Sequence, residues 1–364
     1  MTDADGVPEP AGALDTPGRE LLAALVSIPS ESGEEADAAA RLAEFFAEHG
    51  REAWLDDAGN VRAPGDDSVL LTSHVDTVPG EIPVRVESGD EELGVDGPVL
   101  WGRGSVDATG PLAAMAVAAV ETGASFVGVV GEETDSRGAR HLIEDRDAPA
   151  VVINGEPSGW DAITLGYRGI VGGEYSASTP AGHGARPDAN AIDHATAWWE
   201  RVRASVADEI GDAEPGSFDT ITATAASIDG GLSDDGDAVE ASMAARFRVP
   251  PSETPDAVCG LVDGCLDAGE IEWGESIPPH VASPRSTPAT ALRKGIRAVG
   301  GEPTHLQKTG TADANLYADA WDVPVVTYGP GDSALDHAPD ERLPLAEFDR
   351  AVTVLTTACE QLTD

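Results

Sequence analysis

Lysine is nearly absent from this chain of 364 residues, and basic residues as a whole are few. Only Lys294 and Lys308 are lysines, and 22 Lys plus Arg stand against 66 Asp plus Glu, for a formal charge of −44. A surface this acidic repels phosphates and anionic headgroups, which makes nucleic acid and membrane surfaces poor partners. The acidic residues are scattered rather than confined to a tail, as in proteins from salt-loaded cytosols, where screening weakens self-repulsion. We therefore interpret the charge as halophilic adaptation.

Cysteines and long apolar runs are also scarce. The three cysteines, Cys259, Cys265 and Cys359, form no CxxC pair, which favours buried thiols in a reducing compartment over a disulfide or metal role. The longest apolar run, residues 111–120, is about half of what a membrane span needs. The first ten residues are acidic and lack the apolar core of a signal peptide. We therefore expect a cytoplasmic protein without a membrane segment.

The hydrophobic content of 41% is enough for a globular chain with a sizeable core. Short apolar runs at 69–72, 126–130, 150–153 and 323–328 predict strands, and they alternate with helical patterns at 34–49, 111–121 and 345–362. Such alternation predicts an α/β domain, with a mostly parallel central sheet flanked by helices.

The middle of the chain has a different pattern. Strands are predicted at 169–178, 220–228 and 238–249, with helices at 190–206 and 254–266. This strand–helix–strand–strand–helix order predicts a small ferredoxin-like α+β domain. The expected organisation is a discontinuous first domain, residues 1–166 and 276–364, with the second domain inserted at 167–275.

Polar side chains that suit a metal follow the predicted strands of the first domain. In open α/β sheets, ligands bind at the carboxyl ends of the strands. The candidates that follow short apolar strands are His74, Asp76, Glu132, Glu133, Glu156 and the late His337. Asp107 joins them from a glycine-rich loop just before the Ala-rich helix. A nitrogen and oxygen donor set of this kind suits zinc or a related divalent ion.

Five motifs in this set resemble, in order, the metal-site motifs of the di-zinc amidohydrolases. They are His74-Val-Asp76-Thr-Val-Pro, Gly102-Arg-Gly-Ser-Val-Asp107, Gly131-Glu132-Glu133, Asn154-Gly-Glu156-Pro and the late His337. That superfamily includes acetylornithine deacetylase, succinyl-diaminopimelate desuccinylase, aminoacylase and carboxypeptidase G. The resemblance covers almost the whole chain, including the inserted domain, which in the family is a lid and dimerisation domain.

The resemblance implies two zinc ions per subunit, for which cobalt can substitute. By position, one zinc would be held by His74 and Glu156, and the other by Glu133 and His337. Asp107 would bridge the two ions. Five ligands for two metals leave open positions for water and a substrate carbonyl.

Two further carboxylates have implied roles that involve no direct metal bond. Asp76 would orient the imidazole of His74. Glu132 would be the general base, which takes a proton from water and delivers it to the leaving amine. The adjacent Glu132 and Glu133 side chains must therefore diverge.

The inserted domain and a late loop supply candidate substrate contacts. The motif Gly182-His183-Gly-Ala-Arg-Pro187 resembles the lid motif whose histidine polarises the scissile carbonyl in the partner subunit's site, which implies a homodimer. Arg248 matches a lid arginine that grips a substrate carboxylate in relatives. Lys308, Thr311 and Asp313 lie in a glycine-containing loop that could contact the substrate.

Within the superfamily, the nearest resemblance is to hydrolases that release lysine or ornithine from an amino-group carrier protein of the LysW type, in lysine and arginine biosynthesis. Asp107-Ala-Thr-Gly-Pro-Leu is close to that group's Asp-Ala-Lys-Gly-Pro-Leu, with Thr109 in place of the lysine. Lys308-Thr-Gly-Thr311-Ala-Asp313-Ala-Asn is close to its Lys-Thr-Gly-Thr-Ser-Asp-Met-Asn.

Two alternatives stay open at this point. The first is the same chemistry on small substrates: N-acetylornithine, N-succinyl-diaminopimelate or dipeptides. The second is a metal-binding module without turnover. Lysine and ornithine release are not separated either, because the two side chains differ by one methylene, worth only about 1–3 kcal/mol in a pocket.

Overall fold

The computed structural model describes residues 12–89, 95, 97–183 and 188–363, which form two compact units. The first contains the described residues up to Leu165, the segment Ala282–Leu306 and the chain from Leu316 onward. The second contains Gly166–Val281 and Gln307–Asn315. The segment from Gln307 to Asn315 thus groups with the second unit, whereas the sequence analysis assigns it to the first domain.

The helices and strands alternate along most of the described chain. The helices are α1 (Pro17–Val26), α2 (Ala36–Glu48), α3 (Thr109–Thr122), α4 (Arg137–Asp145), α5 (Ala191–Ile210), α6 (Pro255–Asp263), α7 (Thr287–Ala298), α8 (Asp313–Trp321) and α9 (Leu345–Thr363). The strands are β1 (Trp54–Leu55), β2 (Val61–Ala63), β3 (Asp66–His74), β4 (Arg85–Ser88), β5 (Pro98–Trp101), β6 (Ala124–Val129), β7 (Val152–Gly155), β8 (Ala162–Tyr167), β9 (Gly169–Pro180), β10 (Thr222–Leu232), β11 (Ala238–Val249), β12 (Glu270–Ile277), β13 (His280–Val281), β14 (Thr304–Lys308), β15 (Val325–Thr327) and β16 (Arg342–Pro344).

The first unit is built on a central sheet of order β1-β2-β6-β3-β7-β15-β8. The central strands β6, β3, β7 and β15 pair in parallel, and the pairs toward the edges are antiparallel. The Ala-rich helix α3 is buried on nearly every side, and it packs with α1 and α9. The α/β architecture predicted from the alternating pattern is confirmed.

Close strand packing keeps the carboxyl ends of β3 and β7 together. Ser73 and Gly155 are paired neighbours in the two strands. A Cβ atom on Gly155 would lie 2.7 Å from the Cβ of Ser73, closer than such atoms approach, so only glycine fits here. His74 follows Ser73 and Glu156 follows Gly155, so this close contact also holds His74 and Glu156 near each other.

A separate three-stranded sheet of order β16-β5-β4 lies in the first unit, and its short strands were not predicted. The register pairs Arg342 of β16 with Trp101 of β5. β5 leads into the loop that carries Asp107, and β16 follows the loop that carries His337. The pairing of β16 with β5 therefore brings two candidate ligand loops together.

The second unit has an antiparallel sheet of order β10-β11-β9-β12, with helices α5 and α6 between its strands. Its chain order completes the ferredoxin-like pattern, since β12 supplies a strand that the sequence analysis missed. Tyr175 stacks on Trp198 in the core, with ring centroids 4.5 Å apart. None of the helices in the described part of the chain is both long and apolar enough to cross a membrane.

Candidate metal centre

The predicted metal ligands all lie in the first unit, where a strand end and four loops bring them together. His74 ends β3, Glu156 follows β7, and Glu133 follows β6 by a few residues. Asp107 lies just before α3, and His337 lies just before β16. The strand-end rule therefore located three of the five, while the other two are brought in by loops bordering the small sheet.

The first group of donor atoms consists of His74, Asp107 and Glu156, all of them buried. Nε2 of His74 lies 3.2 Å from Oδ1 of Asp107 and 3.8 Å from Oε1 of Glu156. The donor atoms of all three residues lie within 4.8 Å of one another, close enough to surround one ion.

The second group consists of Asp107, Glu133 and His337. Nε2 of His337 lies 3.2 Å from Oδ2 of Asp107 and 3.1 Å from Oε1 of Glu133. The two oxygens of Asp107 thus face different histidines, one in each group. This is the placement that a carboxylate shared between two metal ions needs.

The chemistry of the donors fits divalent metals of the zinc type. Each group offers one imidazole nitrogen and carboxylate oxygens from two residues, the donor types that zinc accepts. A third group, His74, Glu132 and Glu133, also has its donor atoms within 4.8 Å, so the Glu132 side chain lies beside the ligands.

The carboxylates of the site shift the pKa values of its two histidines. Hydrogen bonding to Asp107 raises the pKa of His337 to about 9. Burial opposes the charge of His74, but its bonds with Asp107 and Asp76 outweigh this and raise its pKa well above the usual range. Burial raises the pKa of Glu133. The neighbouring carboxylates therefore favour the protonated form of both imidazoles, and metal binding would compete with protons there.

Asp76 connects three segments around the site. Nδ1 of His74 lies 2.8 Å from the backbone carbonyl oxygen of Asp76 and 3.6 Å from its Oδ1. The backbone N–H groups of Glu132 and Glu133 each donate to the Asp76 carboxylate at 3.1 Å, and the Ser32 hydroxyl donates at 2.7 Å. Burial would raise the pKa of Asp76, but these bonds and the one to His74 lower it to about 2. The Asp76 carboxylate thus holds the Glu132–Glu133 turn, and the Asp76 backbone carbonyl contacts the imidazole of His74.

Glu341 is a residue that the sequence analysis missed. Its fully buried carboxylate accepts the backbone N–H groups of Gly104, Val106 and Asp107, at 3.1, 2.8 and 3.0 Å. Arg103 donates to Glu341 at 2.8 Å and also to the carbonyl of Ala338, which follows His337. The Arg103–Glu341 pair therefore ties the Asp107 loop to the His337 loop. An acidic residue four positions after the late histidine was its only sequence signal.

The candidate substrate residues lie in the second unit. Arg248 donates to the Thr311 hydroxyl at 2.5 Å, and that hydroxyl donates to the carbonyl of Arg168 at 3.0 Å. Arg168 was not predicted; burial and the nearby Arg248 lower its pKa. Asp313 is buried, and His183 is exposed. The rest of the His183 motif, residues 184–187, lies outside the described residues.

Comparison with known proteins gives consistent matches. The profile of the peptidase family M20/M25/M40 matches residues 70–361. The chain is 42% identical to a LysW-lysine hydrolase of Deinococcus radiodurans, over 94% of this chain and 96% of the relative. It is 36% identical to a putative LysW-lysine/LysW-ornithine hydrolase of Thermococcus kodakarensis, over 94% and 91%. Among solved structures, aminopeptidase PepT of Bacillus cereus superposes with a TM-score of 0.74 at 20% identity, over 94% of this chain and 97% of that one.

Proposed function

Because this chain belongs to the peptidase family M20/M25/M40 and is a metal-dependent hydrolase, we propose that it releases lysine or ornithine from an amino-group carrier protein of the LysW type. The reaction would be hydrolysis of the amide that joins the amino acid to the carrier, in lysine and arginine biosynthesis in the cytoplasm. The near full-length similarity to hydrolases of that name is the observation that favours this substrate.

We propose that His74 and Glu156 hold one zinc, that Glu133 and His337 hold the other, and that Asp107 is shared. The opposed contacts of the Asp107 oxygens support this assignment. When bound, the two metals, zinc or substituting cobalt, would polarise the amide carbonyl and acidify a water molecule.

Glu132 is the residue proposed to transfer the proton. Its carboxylate belongs to the donor group with His74 and Glu133, and its backbone N–H is held by Asp76. We propose that it takes a proton from the attacking water and passes the proton to the amine that leaves. Asp76 would hold both glutamates in divergent orientations while the proton moves.

We propose that the second unit recognises the amino acid. A guanidinium such as Arg248 can bind a substrate carboxylate in a two-pronged geometry, and its bond to Thr311 positions it. Lys308 and Asp313 lie on the same segment as Thr311, and a carboxyl side chain such as that of Asp313 can pair with a substrate ammonium.

The substrate proposal predicts a large preference for carrier-linked amides. For carrier-linked lysine and carrier-linked ornithine, kcat/KM should be roughly a hundredfold higher than for N-acetylornithine, N-succinyl-diaminopimelate and dipeptides. The reason is that contacts with the carrier can stabilise the transition state. The measurement is release of free amino acid by zinc- and cobalt-loaded enzyme, with metal-stripped enzyme as the control. Faster turnover of a small amide would favour a deacylase or dipeptidase. Absence of any hydrolysis with either metal would contradict an enzymatic role.

We also propose a homodimer in which His183 acts in the partner subunit's site. The edge strand β10 supports this: nearly all of its residues are exposed, including Ile228 at 55% and Leu232 at 65%. An exposed edge strand of this length presents backbone N–H and C=O groups with which another chain can pair.

The dimer proposal predicts complementation between two inactive variants. His183→Ala and Glu132→Gln subunits, mixed and allowed to exchange, should form hybrid dimers with one intact site and regain activity. The control is each variant incubated alone, with exchange followed by a fluorescent label. Hybrid dimers that form without activity would place His183 in the site of its own subunit or outside catalysis.

A further inference from the structure

One segment of the first unit has a charge opposite to that of the chain. Between residues 282 and 306 there are four cations, Arg285, Arg293, Lys294 and Arg297, and a single carboxylate, Glu302. The whole chain carries −44 with 22 basic residues, so this short segment holds a large share of them. Three of the four cations lie on α7, and Arg285 lies just before it.

These cations make no ion pair within the described ranges of the chain, although carboxylates are abundant. Other arginines do pair: Arg62 with Asp56 at 2.6 Å, and Arg137 with Glu35 at 2.7 Å. The Arg293 guanidinium instead bonds to the carbonyl of Pro284 and to the Thr290 hydroxyl. This protein has three acidic residues for each basic one, so four clustered cations without a carboxylate partner are unexpected. Either helix stability or a binding partner could explain their position.

Helix stability does not supply that reason. A cation in the last turn is favoured by the helix dipole, which accounts for Arg297. Arg285 precedes the amino end of the helix, where the same dipole disfavours a positive charge. Arg293 and Arg297 are four residues apart, a spacing at which like charges repel.

The helix presents the cations on a rigid support. Its apolar face, with Leu292 and Ile296, is fully buried, and it packs on α9. A Cβ atom on Gly295 would lie 2.7 Å from the carbonyl oxygen of Val354, so the two helices are in close contact. Lys294 and Arg297 are exposed on the opposite face. Between Arg285 and Lys294 lies an open depression of about 580 Å³ that Thr287 and Thr290 also line.

This surface lies away from the metal centre. The depression is also lined by Ser68, Val151 and Pro324, which lie at the amino ends of β3, β7 and β15. The candidate ligands His74 and Glu156 lie at the carboxyl ends of β3 and β7. Six residues separate Ser68 from His74, or about 20 Å at the rise of a strand. Whatever binds here therefore leaves the metal centre accessible.

The dimensions of the surface indicate the kind of occupant. From Thr287 to Arg297 the helix axis advances about 15 Å, and Arg285 lies two residues before the helix, so the cations are too widely spread for one small anion to contact them all. A nucleic acid would extend beyond the helix onto acidic surface and be repelled. We propose that Arg285, Arg293, Lys294 and Arg297 form a docking face, the α7 cationic face, for an acidic segment of another protein.

The test compares two double variants with the same change in net charge. Lys294→Gln/Arg297→Gln removes two exposed cations of the α7 cationic face. Arg41→Gln/Arg85→Gln removes two cations that already pair with Glu44 or Glu48 and with Glu87. The probe is a fluorescein-labelled oligoglutamate of about ten residues, long enough to span the face when extended. Its anisotropy is measured at the lowest potassium chloride concentration at which circular dichroism shows folded enzyme.

The wild type should bind the oligoglutamate, and the Lys294→Gln/Arg297→Gln variant should bind it about fivefold or more weakly, since two surface contacts are lost. The Arg41→Gln/Arg85→Gln variant should bind like the wild type, and both variants should keep the wild-type metal content. No binding by the wild type, or equal losses in the two variants, would overturn the docking face. Equal displacement of the probe by a DNA duplex would show a general polyanion site and overturn the assignment to a protein partner.

Discussion

Replacement of Glu132 by glutamine should leave two metal ions bound and lower turnover by about a hundredfold to ten-thousandfold. The amide keeps the size of the side chain but cannot accept a proton from water. The backbone N–H of residue 132 donates to Asp76 at 3.1 Å, so the turn that positions the side chain does not depend on its charge. The measurement is kcat on the carrier-linked substrate, together with metal content by mass spectrometry.

Glu133→Gln is the matched control, because it makes the same change at the adjacent position. Oε1 of Glu133 lies 3.1 Å from His337 in the second donor group, so this variant should lose a metal as well as activity. If Glu132→Gln loses a metal and Glu133→Gln retains both, the roles of the two glutamates are exchanged.

The second large effect is expected at Glu341, which contacts no donor atom of either group in the described structure. Glu341→Gln should weaken metal binding about tenfold to a hundredfold, the usual cost of removing a group that orients a ligand. The amide nitrogen of glutamine cannot accept the backbone hydrogen bonds that a carboxylate oxygen of Glu341 accepts. The loop that carries Asp107 would therefore lose part of its support. Competition with a chromophoric chelator gives the affinity directly.

A second glutamate separates this effect from a general loss of stability. Burial raises the pKa of both Glu341 and Glu347, but Glu347 lies on α9 and bonds to the backbone of Gly331, six residues before His337, rather than to the Asp107 loop. Glu347→Gln should therefore lower the melting temperature while changing metal affinity much less than Glu341→Gln does. Equal changes in metal affinity for the two variants, or none for Glu341→Gln, would mean that Glu341 does not position the ligands.

The parts of the site that the sequence could predict are those carried by strands. His74 and Glu156 each follow an apolar run by a few residues, and parallel strands have their carboxyl ends at one edge of the sheet. The ferredoxin-like pattern of the second unit was recognisable for a similar reason, because buried and more exposed residues alternate along much of the twelve-residue strands β9 and β11. Periodic patterns of this length determine the architecture locally.

What could not be predicted depends on contacts between distant loops. Glu341 acts on backbone N–H groups some 235 residues earlier, and no local pattern marks such a contact. The pairing of β5 with β16 involves only a few residues in each strand, too few for a periodic signal. The Gln307–Asn315 segment lies between two parts of the first unit in sequence, but its bonds to Arg168 and Arg248 place it in the second.

The contacts of Asp76 bear on how this site could be moved into another protein. The Asp76 carboxylate accepts hydrogen bonds from the backbone N–H groups of Glu132 and Glu133 and from the Ser32 hydroxyl. The backbone carbonyl oxygen of the same residue contacts His74. A graft of the histidine loop alone would leave that carboxylate without its donors, and a graft of the glutamate turn alone would leave two N–H groups unsatisfied. The smallest transplantable part is therefore three segments at once: the Ser32 loop, the end of β3 with Asp76, and the turn after β6. Directed evolution that recombines these segments between relatives should yield active chimaeras only when all three come from one parent or keep this bonding pattern.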